Sequence, residues 1–185
     1  MSDALALLEV SSLARGVVVA DAVAKRAPVS LIECGPVSPG KYLVLFAGGV
    51  AEVEESAAAG AAVAGELLID KLLLPQAHAQ VLPALRAGAR GFGHAPSSDS
   101  AGMLELVSVA AALRAADAAC KAAAVQLQFL HLARGIGGKA WFAVRGDLHS
   151  VEAAVLAATQ AAGEGLLAGA EIVAAPHGDL AGKAL

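Results

Sequence analysis

Two glutamates in apolar surroundings, Glu9 in Leu8-Glu9-Val10 and Glu105 in Leu104-Glu105-Leu106, are the residues of this 185-residue chain best placed for acid–base chemistry. Paired carboxylates in a low dielectric can divide the work of general acid and general base. The two stand at equivalent places of a duplicated sequence, so shared ancestry explains the coincidence without chemistry, and a structural role is preferred. Asp21 and Lys25 are four apart, as are Asp117 and Lys121; on a helix that spacing makes a surface ion pair of small energetic value. Gly135-Ile136-Gly137-Gly138-Lys139-Ala140 formally satisfies G-x-G-x-x-A. A dinucleotide turn must open a helix, whereas the residues that follow read as a strand. A P-loop fails too, because Ala133 stands in place of its first glycine and Ala140 in place of the magnesium-binding Ser or Thr. His78, His94, His131, His149 and His177 form no i,i+4 pair and have no acidic or cysteine partner at ligand spacing. Cys34 and Cys120 fall at non-equivalent places in the two copies, which argues against a disulfide. No nucleophile–base–acid arrangement emerges; no catalytic residue, metal or cofactor is expected, and the chain reads as a non-enzyme.

The elements that must position these residues come twice. Glu9, Ser12, Asp21, Lys25, Val29 and Leu31 recur 96 residues later, and Gly40-Lys41, Gly48 and Val53-Glu54 recur 98 later, so the second copy carries a two-residue insertion in one loop. A repeat of this length exceeds a solenoid unit of ~20–50 residues, and each copy should be a small domain with its own core. In the first, Ala4–Val10 has strand length, Ser11-Ser12 offer N-cap hydroxyls to a helix over Leu13–Lys25, and Pro28 ends it. Val29–Gly35 and Lys41–Ala47 read as strands around a Pro/Gly loop, followed by a helix over Ala51–Gly65, a strand over Leu67–Leu74 and a short helix over His78–Leu85. The second copy reads as Met103–Val107, Ala110–Lys121, Val125–Leu132, Lys139–Arg145, Leu148–Ala162 and Glu171–Ala175 in the same roles. The expected fold is α+β, two tandem copies of strand-helix-strand-strand-helix-strand, with domains at 1–87 and 103–185 and a linker rich in Gly, Ser and Pro at 88–102.

Composition narrows the partners. A net charge of −4 without any Lys/Arg cluster lacks the basic footprint that nucleic acid demands. Hydrophobic residues make up 57% of the chain, yet no uncharged run reaches the ~18 residues of a membrane span. Met1-Ser2-Asp3 has neither a basic n-region nor a cleavage site, so a cytoplasmic location is expected. Units of about 90 residues gain much from packing on neighbours, which points to an oligomer.

Leu8-Glu9-Val10, then Ala20-Asp21-Ala22-Val23-Ala24-Lys25, then Pro39-Gly40-Lys41, then Gly49-Val50-Ala51-Glu52-Val53, resembles the bacterial microcompartment shell domain. The second copy repeats the pattern as Leu104-Glu105-Leu106, Ala116-Asp117-Ala118-Ala119-Cys120-Lys121, Gly137-Gly138-Lys139 and Gly146-Asp147-Leu148, closing on Pro176-His177-Gly178-Asp179. Two copies in unpermuted order resemble the tandem, trimer-forming class of shell protein. The resemblance implies a homotrimer whose six domains make a pseudo-hexagonal tile that packs edge to edge with other shell proteins in a shell within the cytoplasm.

The resemblance also assigns residues. It places Ser38, Pro39 and Gly40 of the first copy, and Gly135, Ile136, Gly137 and Gly138 of the second, at a central pore for small polar metabolites. It places Lys25 and Lys121 at the tile edge. An arginine usual before the closing Pro-His is absent: Ala175 stands there, and the first copy has Pro75-Gln76-Ala77-His78. One subtype holds an iron–sulfur cluster on three cysteines that precede Pro-Gly-Lys, where this chain has Ser38, which implies a cluster-free pore. The competing reading is a small-molecule-binding regulatory or enzymatic α+β dimer, which requires a closed pocket and two-fold assembly.

Overall fold

The computed structural model describes residues 4–87 and 99–180; most of the expected linker, and His94, lie outside them. The first copy runs β1 (Ala4–Val10), α1 (Leu13–Arg26), β2 (Ser30–Val37), β3 (Lys41–Gly48), α2 (Val50–Ala64) and β4 (Leu68–Leu74), then α3 (Val81–Ala87). The second runs β5 (Ser100–Leu106), α4 (Val109–Ala122), β6 (Gln126–His131), β7 (Ala140–Gly146), α5 (Leu148–Ala162) and β8 (Leu167–Val173). Both sheets are antiparallel with matching orders, β2-β3-β1-β4 and β6-β7-β5-β8, so the expected α+β duplication is present. Bulges fall at matching places, after Glu9 and after Glu105. Among the described residues no helix is long and apolar enough to cross a membrane.

Caps explain where the helices start. Ser12 Oγ accepts the Arg15 amide at 3.3 Å and Ser108 Oγ the Ala111 amide at 3.1 Å, so α1 and α4 each begin one residue later. Asp147 caps α5 by accepting the Ser150 amide at 3.0 Å, whereas α2 starts on Gly49, which has no side chain to do so. The largest departure from the sequence reading is β8, expected at Glu171–Ala175. Leu167-Ala168-Gly169-Ala170 has little strand propensity, but pairing of β8 along β5 from Leu106–Leu167 to Ala101–Val173 overrides it. One further insertion, Gly-Glu-Gly-Leu at 163–166 against Gly-Glu-Leu at 65–67, moves the offset to 99 from there on.

Both cores place helices on one sheet face. In the first, Ala6, Leu8 and Val10 of β1 pack with Val44 and Phe46 of β3, with Val19 and Val23 of α1, and with Val53 of α2. The alternation is the period-two signature of a strand with one face under helices. Helix and strand approach closely at several glycines. An added Cβ on Gly60 of α2 would lie 2.5 Å from Leu8 Cδ1, and one on Gly102 of β5 would lie 2.6 Å from Val155 Cγ2 of α5. Gly16 of α1 lies directly against the Tyr42 ring. The counterparts invert the sizes: the first copy has Ala6 and Ala57 for Gly102 and Val155, and the second has Ala112 and Ala140 for Gly16 and Tyr42.

The compact units do not follow the repeat boundary. One comprises Met1–Ala77 with Gly135–Gly138, the other His78–Arg134 with Lys139–Leu185. Thus α3, the end of the first copy, packs in the second unit on β6 and α4.

Candidate functional site

The two loops singled out by sequence join equivalent strands but differ in build. In the first, Gly40 donates its amide to the Val37 carbonyl at 3.0 Å, closing a tight turn through Ser38 and Pro39. Gly40 sits at φ +97, the left-handed region that favours glycine. The second loop is wound from four left-handed residues, Ala133, Gly135, Gly137 and Gly138. Gly138 is buried against the first loop: an added Cβ would lie 2.6 Å from Pro39 Cδ and 2.9 Å from the Ser38 carbonyl oxygen. Ser38, Pro39 and Gly138 are therefore together within the first unit. Pro39, Gly40, Gly135, Ile136 and Gly137 are exposed, and Ser38 is half-buried.

Each loop is followed by a lysine tied to a strand glutamate. Lys41 Nζ donates to Glu9 Oε2 at 3.2 Å, and Lys139 Nζ donates to Glu105 Oε2 at 2.8 Å. The register explains both pairs: Glu9 lies opposite Leu43 and Glu105 opposite Trp141, which puts the lysine two residues away on the same face. The pairs differ in setting, since the Glu9 side chain is fully buried and that of Glu105 is half exposed. The glutamates considered for acid–base work are thus anchors for the loop-closing lysines. Sequence reasoning treated the glutamates and the Gly-Lys motif separately; their joint recurrence in both copies was the available signal.

The arrangement offers an exposed rim of backbone with no ionisable side chain from Val37 to Gly40 or from Gly135 to Gly138. Backbone of this kind can offer amide dipoles, and the nearest charged side chains, Lys41, Arg134 and Lys139, stand at the ends of the two loops. The rim does not suit an iron–sulfur cluster. Ser38 supplies a hydroxyl where thiolate is needed, and burial together with Glu33 pushes the Cys34 thiol up, against the thiolate form. Among the described residues no three His, Cys, Asp or Glu side chains are placed to hold a metal ion. Burial, with Arg134 nearby, lowers the His131 pKa and favours the neutral imidazole.

The other singled-out residues stand on helices. Lys25 Nζ lies 2.7 Å from Asp21 Oδ2, the expected surface pair; Lys121 Nζ lies 2.6 Å from Asp117 Oδ2 at the same i,i+4 spacing, but Asp117 is buried, so the second is not the surface pair that the sequence suggests. Lys25 is largely exposed and Lys121 about half so. Both cysteines are free, Cys34 exposed and Cys120 buried.

The BMC domain profile matches this chain twice, over residues 4–77 and 100–176. The bacterial microcompartment shell protein PduT of Citrobacter freundii is 41% identical over 178 residues, 96% of this chain and 95% of its own. The crystal structure of a microcompartment protein from Desulfitobacterium hafniense superposes with a TM-score of 0.86 at 39% identity, covering 97% of this chain and 98% of that one. A fused permuted hexameric shell protein of the RMM microcompartment shares the fold alone, with a TM-score of 0.63 at 21% identity over 86% of this chain and 80% of its own. With two BMC domains in unpermuted order across nearly its whole length, the chain belongs to the BMC domain family as a tandem-domain microcompartment shell protein.

Proposed function

We propose that three copies of this chain form a pseudo-hexagonal tile of a microcompartment shell in the cytoplasm, with a central pore and no catalytic activity of its own. Two BMC domains in one chain carry the reading: six equivalent positions need only three chains. The pore is then ringed by three Ser38-Pro39-Gly40 loops alternating with three Gly135–Gly138 loops, and small polar metabolites pass across exposed backbone. Contact between Gly138 and the Ser38-Pro39 segment supports treating the two loops as one rim. Neighbouring tiles, of this chain or other shell proteins, meet along edges carrying Lys25 and Lys121.

Light scattering tests the assembly, with an expected mass three times the 18.2 kDa chain. A two-fold species would favour the regulatory or enzymatic dimer instead. Replacing Lys25 and Lys121 with Gln, which sets no second carboxylate beside Asp21 or Asp117, should leave trimers intact and abolish extended sheets in negative-stain images; sheets that persist would remove the lysines from the edge.

A further inference from the structure

The two copies end in the same turn. In the first, the Gln80 amide donates to His78 Nδ1 at 3.4 Å and the Val81 amide to the His78 carbonyl at 3.0 Å. In the second, the Asp179 amide donates to His177 Nδ1 at 3.3 Å and the Leu180 amide to the His177 carbonyl at 3.0 Å. Their surroundings differ. The His78 amide donates to Asp117 Oδ1 at 2.7 Å, and the Gln80 side chain clamps the chain at the start of β6. Its Nε2 donates to the Val125 carbonyl and its Oε1 accepts the Leu127 amide, both at 2.8 Å. Val81 is fully buried. The second turn is bare, with His177, Gly178, Asp179 and Leu180 all exposed.

The first unit carries a matching seat, uncovered among the described residues. Asp21, Val29 and Leu31 stand 96 positions before Asp117, Val125 and Leu127. Lys25 takes Asp21 Oδ2 just as Lys121 takes Asp117 Oδ2, which leaves Oδ1 of Asp21 as counterpart of the oxygen that accepts the His78 amide. The Asp117 side chain is 7% exposed and that of Asp21 57%. Leu127 is 6% exposed and Leu31 44%; Leu113 is fully buried and its counterpart Val17 is 56% exposed.

We propose that the seat formed by Asp21, Val29 and Leu31 takes the His177–Leu180 turn of a second copy of this chain. The inference rests on the oligomeric reading above and supplies its keyed contact. The interface is head to tail, different patches meeting, as a closed ring of identical chains requires. One residue departs from the internal precedent. Asp179 replaces Gln80, and an ionised carboxylate can accept the Leu31 amide but cannot donate to the Val29 carbonyl. The seat between chains is therefore looser than the internal one, and Asp179→Gln should tighten it.

Sedimentation velocity across a dilution series is the test, using the native chain, a chain ending at Ala175, Asp21→Ala, both changes together, and Asp179→Gln. Truncation and Asp21→Ala should each raise the concentration of half-dissociation about tenfold or more, the scale of a lost charge-assisted hydrogen bond. The double variant should dissociate like the truncation alone, because both changes remove one contact. Asp179→Gln should dissociate at lower concentration than the native chain. Multiplicative effects in the double variant, or a truncated chain that associates like the native one, would overturn the seat while leaving the oligomer standing. A native chain that is monomeric at micromolar concentration would remove both.

Discussion

Lys41 reaches across the sheet to Glu9, 3.2 Å from a carboxylate that is fully buried, while the equivalent Lys139 meets Glu105 in a half-exposed setting. One pairing thus anchors two loops in very different dielectrics. Removing Lys41 leaves a buried carboxylate short of an ammonium; removing Lys139 leaves a carboxylate that water can solvate.

Lys41→Met should therefore destabilise the chain by about 3–5 kcal/mol, and Lys139→Met by about 1 kcal/mol or less. Chemical denaturation of the two variants side by side checks the ranking. Equal losses would show that Glu9 is solvated in the assembled protein.

Gly102→Ala should cost about 1–3 kcal/mol through overpacking against Val155. Adding Val155→Ala should recover part of the loss, because that pair reproduces Ala6 and Ala57 of the first copy. A double-mutant cycle measures the coupling; additive effects would mean that the helix shifts freely to make room.

The Cys120 thiol is pushed up to about 12 by burial and the nearby Asp117, and Cys34, though raised as well, is exposed. At pH 8 a thiol-specific reagent should modify Cys34 alone, and Cys120 should react only after denaturation. Peptide mapping distinguishes the two sites. Modification of Cys120 in the folded chain would contradict its burial.

Hydrogen bonds from the Ser150 side chain and amide hold the Asp147 carboxyl below the usual carboxylate range. A folded pKa below the unfolded one gives stabilisation that is present at neutral pH and lost as the pH falls through the folded value. Asp147→Ala should lower Tm at pH 7, and the gap from the native chain should close on acidification. Asp147→Gly, which copies Gly49 of the first copy, should lower Tm less. A gap that persists in acid would show that the neutral carboxyl caps the helix as well as the carboxylate does.

Element order, the duplication and the start of α1 were legible because each rests on local signals: strand-length apolar runs, Ser12 before a helical pattern, and glycine at the turns; α4 starts at Val109, one residue before the expected Ala110, because Ser108 caps it. What was not legible depends on register or on distant partners. The start of β8 at Leu167 follows from pairing with β5, against its own propensity. The Glu9–Lys41 pair needs the alignment of strands 32 residues apart. His78 belongs with Asp117 and not with its own repeat, a fact carried by one long-range hydrogen bond. For the loops, the sequence marked Gly40 and Gly135–Gly138 through composition, but the approach of Gly138 to Pro39 is purely tertiary.

Gly16 beneath Tyr42 and Gly102 beneath Val155, each answered by the opposite choice of sizes in the other copy, have a genetic consequence. A crossover that joined the helix of one half to the strand of the other would set Ala112 against Tyr42, or Gly16 against Ala140. The first hybrid is jammed and the second leaves a void, and each costs stability in a domain of under 100 residues. Gene conversion whose tract ends between the helix and the strand of such a pair therefore produces a misfitted protein, whereas a tract that carries both partners does not. The inverted pairs thus oppose piecemeal exchange between the two halves, so that each helix is inherited with the strand it fits.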